Sequence, residues 1–597
     1  MNMATMLAST DNASTNSAAP RCGAWPSTEG EVVFALWAPD ATGVELVFDD
    51  DRRQALSAVG DGYFATTVAC PHGTRYRYAV DGHAPVPDPA SRWQPDGVHG
   101  ASAVLATDGY RWRHHDWQGR PWAETVFYEL HVGTCGGYAG LRAQLPTLAA
   151  FGVTAIELMP LSAFPGRRNW GYDGVLPYAP ASAYGHPDEL KALIDEAHGL
   201  GLSVFLDVVY NHFGPDGNYL GQYASTFFRA DAPTPWGAAI DFRLPQVQRY
   251  FIDNALMWLH EYRFDGLRLD AVHAIKPNAF LDTLREAIMA SVEDGRHVHL
   301  VLENEANQTS LLMRGYSAQW DDDFHNSLHV LLTGEHEGYY AGFADAPAQH
   351  LARVLGEGFA YQGQADHRGH PRGEPSSQLP PHKCVIFAQN HDQIGNRAYG
   401  DRLITQVTEP TLRSALALTA LTPMIPLFFM GEPWGCRAPF LFFTDFPPPL
   451  DEAVREGRRR EFAQFAAFAD PQQRARIPDP NAPSTFQTSI ADIGDTTHGD
   501  GVRWCDWFVA VLALRRQYLL PALTQARSLG ARVLGPKAVT AGWRMGRDEW
   551  HVAVNFGDTP VPLDLPGIAV HRENTGENPA SLPPAAFVAH YRCGSAS

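Results

Sequence analysis

Between residues 125 and 431 the chain repeats one pattern, a short compact apolar run followed by an amphipathic stretch of helical length. The runs are TVFYELHV (125–132), TAIELMP (154–160), SVFLDVV (203–209), GLRLD (266–270), VHLVLE (298–303), a weaker AQWDDDF (318–324), CVIFAQN (384–390) and PLFFMG (426–431). Such alternation specifies βα units on a parallel sheet, and eight is the number that closes a (β/α) barrel. Helices are expected at PDELKALIDEAHGLG, LPQVQRYFIDNALMWLHEY, PTLRSALALTALT and DEAVREGRRREFAQFAAF. The interval between the second and third runs, and the polar one over 325–383, are longer than a helix needs. Both read as enlarged loops on the face where barrel enzymes keep their chemistry.

The flanks follow a different period. EVVFALWAPD, GVELVFDD, GYFATTVA and TRYRYAVDG alternate apolar and polar residues, the pattern of a small β-sandwich. After about residue 520, ARVLGPKAVTAGWRMG, EWHVAVNFG and TPVPLDL return to short alternating strands, a C-terminal antiparallel β-domain. The expected division is a disordered tail over 1–22, the sandwich over 23–110, an α/β barrel with loop insertions over 111–520 and the β-domain over 521–597.

A net charge of −20 repels nucleic acid and anionic lipid, so the substrate is expected to be neutral or cationic. The seven cysteines stand singly, without the spacing of a zinc site or a disulfide framework. No basic, apolar leader and no membrane-length apolar run is visible, which reads as a soluble cytoplasmic protein. Aromatics make up 11% of the chain, many beside Gly, Asp or Asn. Sugar clefts use that mixture, as does ordinary domain-interface packing.

The run GLRLD carries charge where a buried strand should not. In a strand Gly266, Arg268 and Asp270 share one face while Leu267 and Leu269 share the other. The leucines meet the helices, so Arg268 and Asp270 point into the barrel near its C-terminal rim. A structural ion pair is one reading of them. Other strand ends favour a site: the third run ends in DVVYNH with Asp207, Asn211 and His212, the fifth in LENE with Glu303, and the seventh in QNHD with His391 and Asp392. Structural pairs scatter along strands, whereas a site gathers its groups at one rim.

Three carboxylates with an arginine suit glycosidic cleavage, which needs one ionised carboxylate under the anomeric carbon and one protonated acid beside the leaving oxygen. Arg268 would hold Asp270 ionised as nucleophile, and Glu303, ending an apolar strand, would keep its proton. Glu305 shares the parity of Glu303 and is its rival. His391 and Asp392 would bond the distorted sugar. His273, three residues past Asp270, would face the leaving sugar or serve loop packing. A metal is the competing use of such groups, but no HxxxH or DxDxDG spacing supports one, so no cofactor and no metal is expected.

DVVYNH, GLRLDAVH, LVLENE and QNHD, in this order, resemble the four motif regions of the α-amylase superfamily of retaining glycoside hydrolases. The resemblance implies a (β/α)8 TIM barrel with Asp270 as nucleophile, Glu303 as general acid/base and Asp392 as transition-state stabiliser. It also implies sugar contacts by Asp207, His212, Arg268 and His391, and an aromatic platform at Tyr172 in NWGYDG. The flanking domains resemble the layout of branching and debranching relatives. FPGRRNWGYDGVLPYAPASAYG, TPWGAAI, QWDDDFHNSLHVLLTGE and FLFFTDF resemble a trehalose-releasing branch of the superfamily, which implies maltooligosyltrehalose and related α-glucans as partners. Two departures stand out: MGEP lacks a second acid after Glu432, and the third residue after the acid in LENEAN is alanine. A branching or debranching enzyme, and a non-catalytic glucan-binding protein, are the alternatives.

Overall fold

The computed structural model describes residues 19–27, 30–106, 109–234 and 237–594. Among them eight parallel strands close into a barrel. They are β1 (Phe127–Leu130), β2 (Ala155–Leu158), β3 (Ser203–Val208), β4 (Gly266–Leu269), β5 (His299–Glu303), β6 (Ala318–Trp320), β7 (Cys384–Ile386) and β8 (Ile425–Phe429). Each pairs with its neighbours in sequence order, and β8 returns to β1.

The helices form where the sequence offers caps and an apolar stripe. His186 and Glu189 form a reciprocal capping box at the start of Pro187–Gly199, and Leu190, Leu193, Ile194 and Ala197 bury one face against the sheet. One expectation is corrected at β6. The run 318–324 is strand only to Trp320, because the Asp321 side chain accepts the Phe324 N–H and starts a helix over Asp322–Thr333. The interval 325–383 therefore begins inside that helix and holds a second one, Pro347–Glu357.

Inside the barrel the base of β4 is a steric matter. A Cβ on Gly266 would stand 2.2 Å from the Phe205 ring and 2.6 Å from the His299 carbonyl oxygen. Phe205 packs edge-on to Phe127 with centroids 4.8 Å apart, so glycine makes the room that the lower aromatic layer occupies. Two residues further along the same face comes Arg268.

Two antiparallel four-stranded sheets precede the barrel, ordered Gly23–Pro26, Glu31–Trp37, Tyr63–Ala69, Ser57–Gly60 and Arg53–Ala55, Val44–Phe48, Arg75–Val80, Ser102–Ala103. The packed chain already includes part of the expected tail: Arg21 lies 3.4 Å over the Trp25 ring and donates to the Asp253 carbonyl. Residues 1–18 of that tail, and Pro235 and Trp236 of TPWGAAI, lie outside the described residues. The sandwich docks through buried Arg92, which pairs with Glu261 at 2.9 Å. A five-stranded antiparallel sheet (Ala526–Gly535, Ala538–Met545, Asp548–Asn555, Ala586–Arg592, Ile568–Glu573) follows the barrel. Among the described residues no helix is long and apolar enough to cross a membrane.

Replacing Gly266 with alanine should destabilise the fold by about 2–3 kcal/mol through overpacking against Phe205 and the β5 backbone. Calorimetric unfolding checks this, and an unchanged melting temperature would contradict the layer described here.

Candidate active site

At the upper rim one guanidinium gathers three acids. Arg268, fully buried, donates from Nη1 to Asp207 Oδ2 at 2.7 Å and to Asp270 Oδ1 at 2.8 Å, and its Nη2 stands 3.2 Å from Glu303 Oε2. Asp207 is the register partner of Arg268 across β3 and β4. The Trp320 ring, at the end of β6, lies 4.2 Å beneath the guanidinium carbon and closes off solvent.

Asp270 and Glu303 feel this cation differently. Burial opposes ionisation of Asp270, but Arg268, His212 and the Asn211 amide, donating at 2.7 Å, outweigh it and hold the carboxyl below its usual range. Burial drives Glu303 well above the usual carboxyl range; Arg268 only partly opposes this, and the charges of Asp270, Asp322 and Asp392 add to it. Glu303 Oε2 also accepts the backbone N–H of Ala271 at 2.7 Å. Ala271 adopts φ 41°, a left-handed conformation that turns this N–H toward Glu303 directly after Asp270. Oε2 is thus the oxygen that faces both the Ala271 N–H and the Arg268 guanidinium. Burial raises Asp207 to about 6 despite its bond to Arg268.

Across the cleft His391 and Tyr172 form a stacked pair, centroids 5.2 Å apart. The Tyr172 hydroxyl donates to Asp207 at 2.6 Å and stands 2.8 Å from His391 Nε2. His391 Nδ1 bonds the Glu129 carboxylate. Burial lowers the pKa of His391, yet Asp392 and Glu129 together raise it to about 9, so the ring is cationic at neutral pH. Asp392 lies in the first turn of the short helix His391–Gly395, is 40% exposed, and accepts from Asn396 Nδ2 at 3.2 Å. His212 Nε2 bonds the Tyr172 carbonyl oxygen at 3.1 Å, which ties the end of β3 to the loop after β2.

The remaining expected residues sit at the edge. His273 lies on the turn after β4, 3.9 Å from Glu305 Oε2, and burial lowers its pKa against the pull of Glu305 and Asp270. Glu305 is 70% exposed and makes no ion pair with Arg268 among the described contacts, which separates it from Glu303. Glu432 of MGEP is buried below the rim, bonded to Gln389 and the Phe429 N–H, and burial raises it to about 7. Among the described residues no group of three or more His, Cys, Asp or Glu is arranged to hold a metal.

Two acids escape the sequence reading, Glu129 and Glu157, register partners on β1 and β2. Both are buried, and among the described residues neither Glu157 oxygen has a hydrogen-bond partner. Burial raises Glu157 well above the usual range, with Glu129 and Asp207 adding to the shift. The signal was present: each is a lone acid within an apolar run, the same anomaly that exposes Arg268.

A parallel eight-stranded barrel whose rim holds a depressed and an elevated carboxyl on one guanidinium defines a barrel glycoside hydrolase of the α-amylase type. The comparisons agree. Residues 108–236 match the family described as alpha amylase, catalytic domain, residues 21–96 carbohydrate-binding module 48 (isoamylase N-terminal domain), and residues 526–588 a domain of unknown function, DUF3459. The chain is 40% identical to the malto-oligosyltrehalose trehalohydrolase of Deinococcus radiodurans, over 92% of each chain. It is 39% identical to that of Rhizobium sp. (strain M-11), over 91% of this chain and 94% of the relative. A solved structure from Salmonella typhimurium superposes with TM-score 0.91 at 43% identity, covering 96% and 99% of the two chains. A pullulanase from Paenibacillus barengoltzii, at 18% identity and TM-score 0.72 over 97% and 96%, shares the fold. The chain belongs to the malto-oligosyltrehalose trehalohydrolase family.

The Glu129 contact makes a pH-dependent prediction. In Glu129→Gln one of the two charges that raise His391 is lost, so its pKa falls from about 9 and the ring becomes neutral within the working range. The ratio of variant to wild-type kcat/KM should then decline as pH rises from about 6 to about 9, read from a full pH profile; a constant ratio would show that Glu129 does not set the charge of His391.

Proposed function

We propose that this chain hydrolyses the α-1,4-glucosidic bond next to the terminal trehalose of maltooligosyltrehalose, with retention, and releases trehalose. One observation carries the chemistry: the opposite displacement of Asp270 and Glu303 around Arg268, which supplies a ready anion and a ready acid to the same bond. The choice of bond is supported by the names of the relatives that match nearly the whole chain.

The steps follow from the geometry. Asp270 attacks the anomeric carbon while Glu303 protonates the leaving oxygen, so trehalose departs and a β-glucosyl ester forms on Asp270. Water then enters, Glu303 takes its proton, and the glucan leaves as the α-anomer. Asp392 and cationic His391 bond hydroxyls of the flattening ring, a contact that strengthens in the transition state. Tyr172 carries the ring on its face, and Asp207, held by Arg268 and Tyr172, fixes both. His212 secures the platform loop, and His273 stands on the leaving side. The working division is the sandwich over 23–110, the catalytic barrel over 111–520 and the β-domain over 521–597. The free cysteines support a reducing cytoplasm as its location.

A second reading is kept by one similarity. A 1,4-alpha-glucan branching enzyme of Aliivibrio fischeri is 31% identical over 45% of this chain and 42% of its own length. Incubation with maltopentaosyl-trehalose and with amylopectin separates the two readings: trehalose appears from the first substrate, with the new reducing end first seen as the α-anomer by NMR. Chain transfer on amylopectin without trehalose release would support branching instead. Asp270→Asn should lower kcat by about 10⁴-fold or more while substrate still binds. Glu303→Gln should lose about 10³-fold on maltooligosyltrehalose but little on an α-maltosyl fluoride, whose leaving group needs no proton. Equal losses on both substrates would remove Glu303 from the acid role.

A further inference from the structure

The loop excursion after β8 carries FLFFTDF and the helix Leu450–Glu461, with its GRRR run. It braces two of the loops that build the site. Trp170, two residues before Tyr172, donates from Nε1 to the Leu441 carbonyl at 3.0 Å, and Asp445 accepts the Arg167 N–H at 2.8 Å and pairs with Arg168. On the other side Arg458 reaches the helix that presents Asp392. Its Nη1 donates to Asn396 Oδ1 at 3.1 Å, its Nη2 donates to the Gly395 carbonyl, and its guanidinium lies between the Phe442 and Phe462 rings, 4.4 and 4.9 Å from their centroids.

Asn396 ends the His391–Gly395 helix and donates from Nδ2 to Asp392 Oδ1 at 3.2 Å. An amide has two faces of opposite polarity, oxygen and NH₂, and by itself can present either. Arginine is a donor only. By occupying Oδ1, Arg458 leaves Nδ2 as the group that must face Asp392; a flipped amide would set its oxygen against a carboxylate oxygen.

Building on the hydrolase reading above, we propose that Arg458 is a positioning residue for the reaction: it fixes the polarity of the Asn396 amide and so the orientation of Asp392 toward the flattening sugar. The assignment concerns a part of the chain far from the motif regions in sequence. Asp392 acts chiefly in the transition state, so the effect falls on kcat. Displacing such a group by about 1 Å costs on the order of 10²-fold.

Arg458→Met keeps length and removes every donor. Its kcat should fall by about 10²-fold with KM within about twofold of wild type, and Arg458→Lys, which can satisfy one acceptor at a time, should lie between. Because Arg458 works through Asn396, Arg458→Met combined with Asn396→Ala should be no worse than the poorer single variant. Arg458 lines an open surface pocket together with Leu441, Arg455, Arg459, Phe468 and Pro478, so methylguanidinium has a route to the gap in Arg458→Ala and should restore part of kcat. Calorimetric binding of a maltooligosaccharide analogue with a half-chair cyclitol at its reacting unit should weaken in Arg458→Met in parallel with kcat, while binding of the plain maltooligosaccharide does not. A wild-type kcat in Arg458→Met, unchanged analogue affinity, or a loss that follows melting temperature and KM alone would overturn the proposal. If wild-type protein released no trehalose, the hydrolase reading would fail, and analogue binding would still decide the role of Arg458.

Discussion

Everything at the rim depends on placing one guanidinium among more carboxyls than it can neutralise. Arg268 faces Asp207, Asp270 and Glu303, and the Trp320 ring covers its guanidinium. Three anions around one cation in a low-dielectric pocket cannot all stay ionised, so a proton must settle on one of them. The two aspartates take the shorter contacts from Nη1, while Glu303 stands farther off and shares its oxygen with a backbone N–H. Burial and the neighbouring acids push the Glu303 carboxyl up while Arg268, His212 and Asn211 hold Asp270 down, so two carboxyls on a common cation are displaced in opposite directions.

That arrangement is held by the barrel and aimed by the loops. Register places Asp207 opposite Arg268, and the glycine at the base of β4 lets Phe205 fill the layer beneath. A packed floor of aromatics keeps the charged layer from sinking, since the only direction left for it is the open end. Above, His391 is made cationic by Glu129 and Asp392, and its ring doubles as the surface against which Tyr172 stacks. The excursion after β8 then ties the Tyr172 loop and the Asp392 helix together, so the two walls of the cleft share one brace.

Much of this was legible from residue order. The eight apolar runs all became barrel strands, and the parity of Gly266, Arg268 and Asp270 set the charged face inward. The run at 318–324 misled because apolarity and acid residues overlap there: a capping aspartate starts a helix where the pattern still resembles a strand end. Glu129 and Glu157 were hidden inside strongly apolar runs, where a single acid is easily read as a break in pattern rather than as a member of a layer spread over several strands.

Period, parity and strand-end chemistry are local properties, so residue order alone determined the barrel, its flanking β-domains and the gathering of Asp207, Arg268, Asp270, Glu303, His391 and Asp392 at one rim. Which carboxyl keeps the proton, why His391 is charged, and what steadies Asp392 were decided only by the closed fold. Those outcomes turn on distances of a few tenths of an ångström and on burial by Trp320, Glu129 and Arg458, partners up to 262 residues away along the chain. Electrostatic energy in a buried site depends on separation and solvent exclusion, and neither quantity exists until the strands have closed.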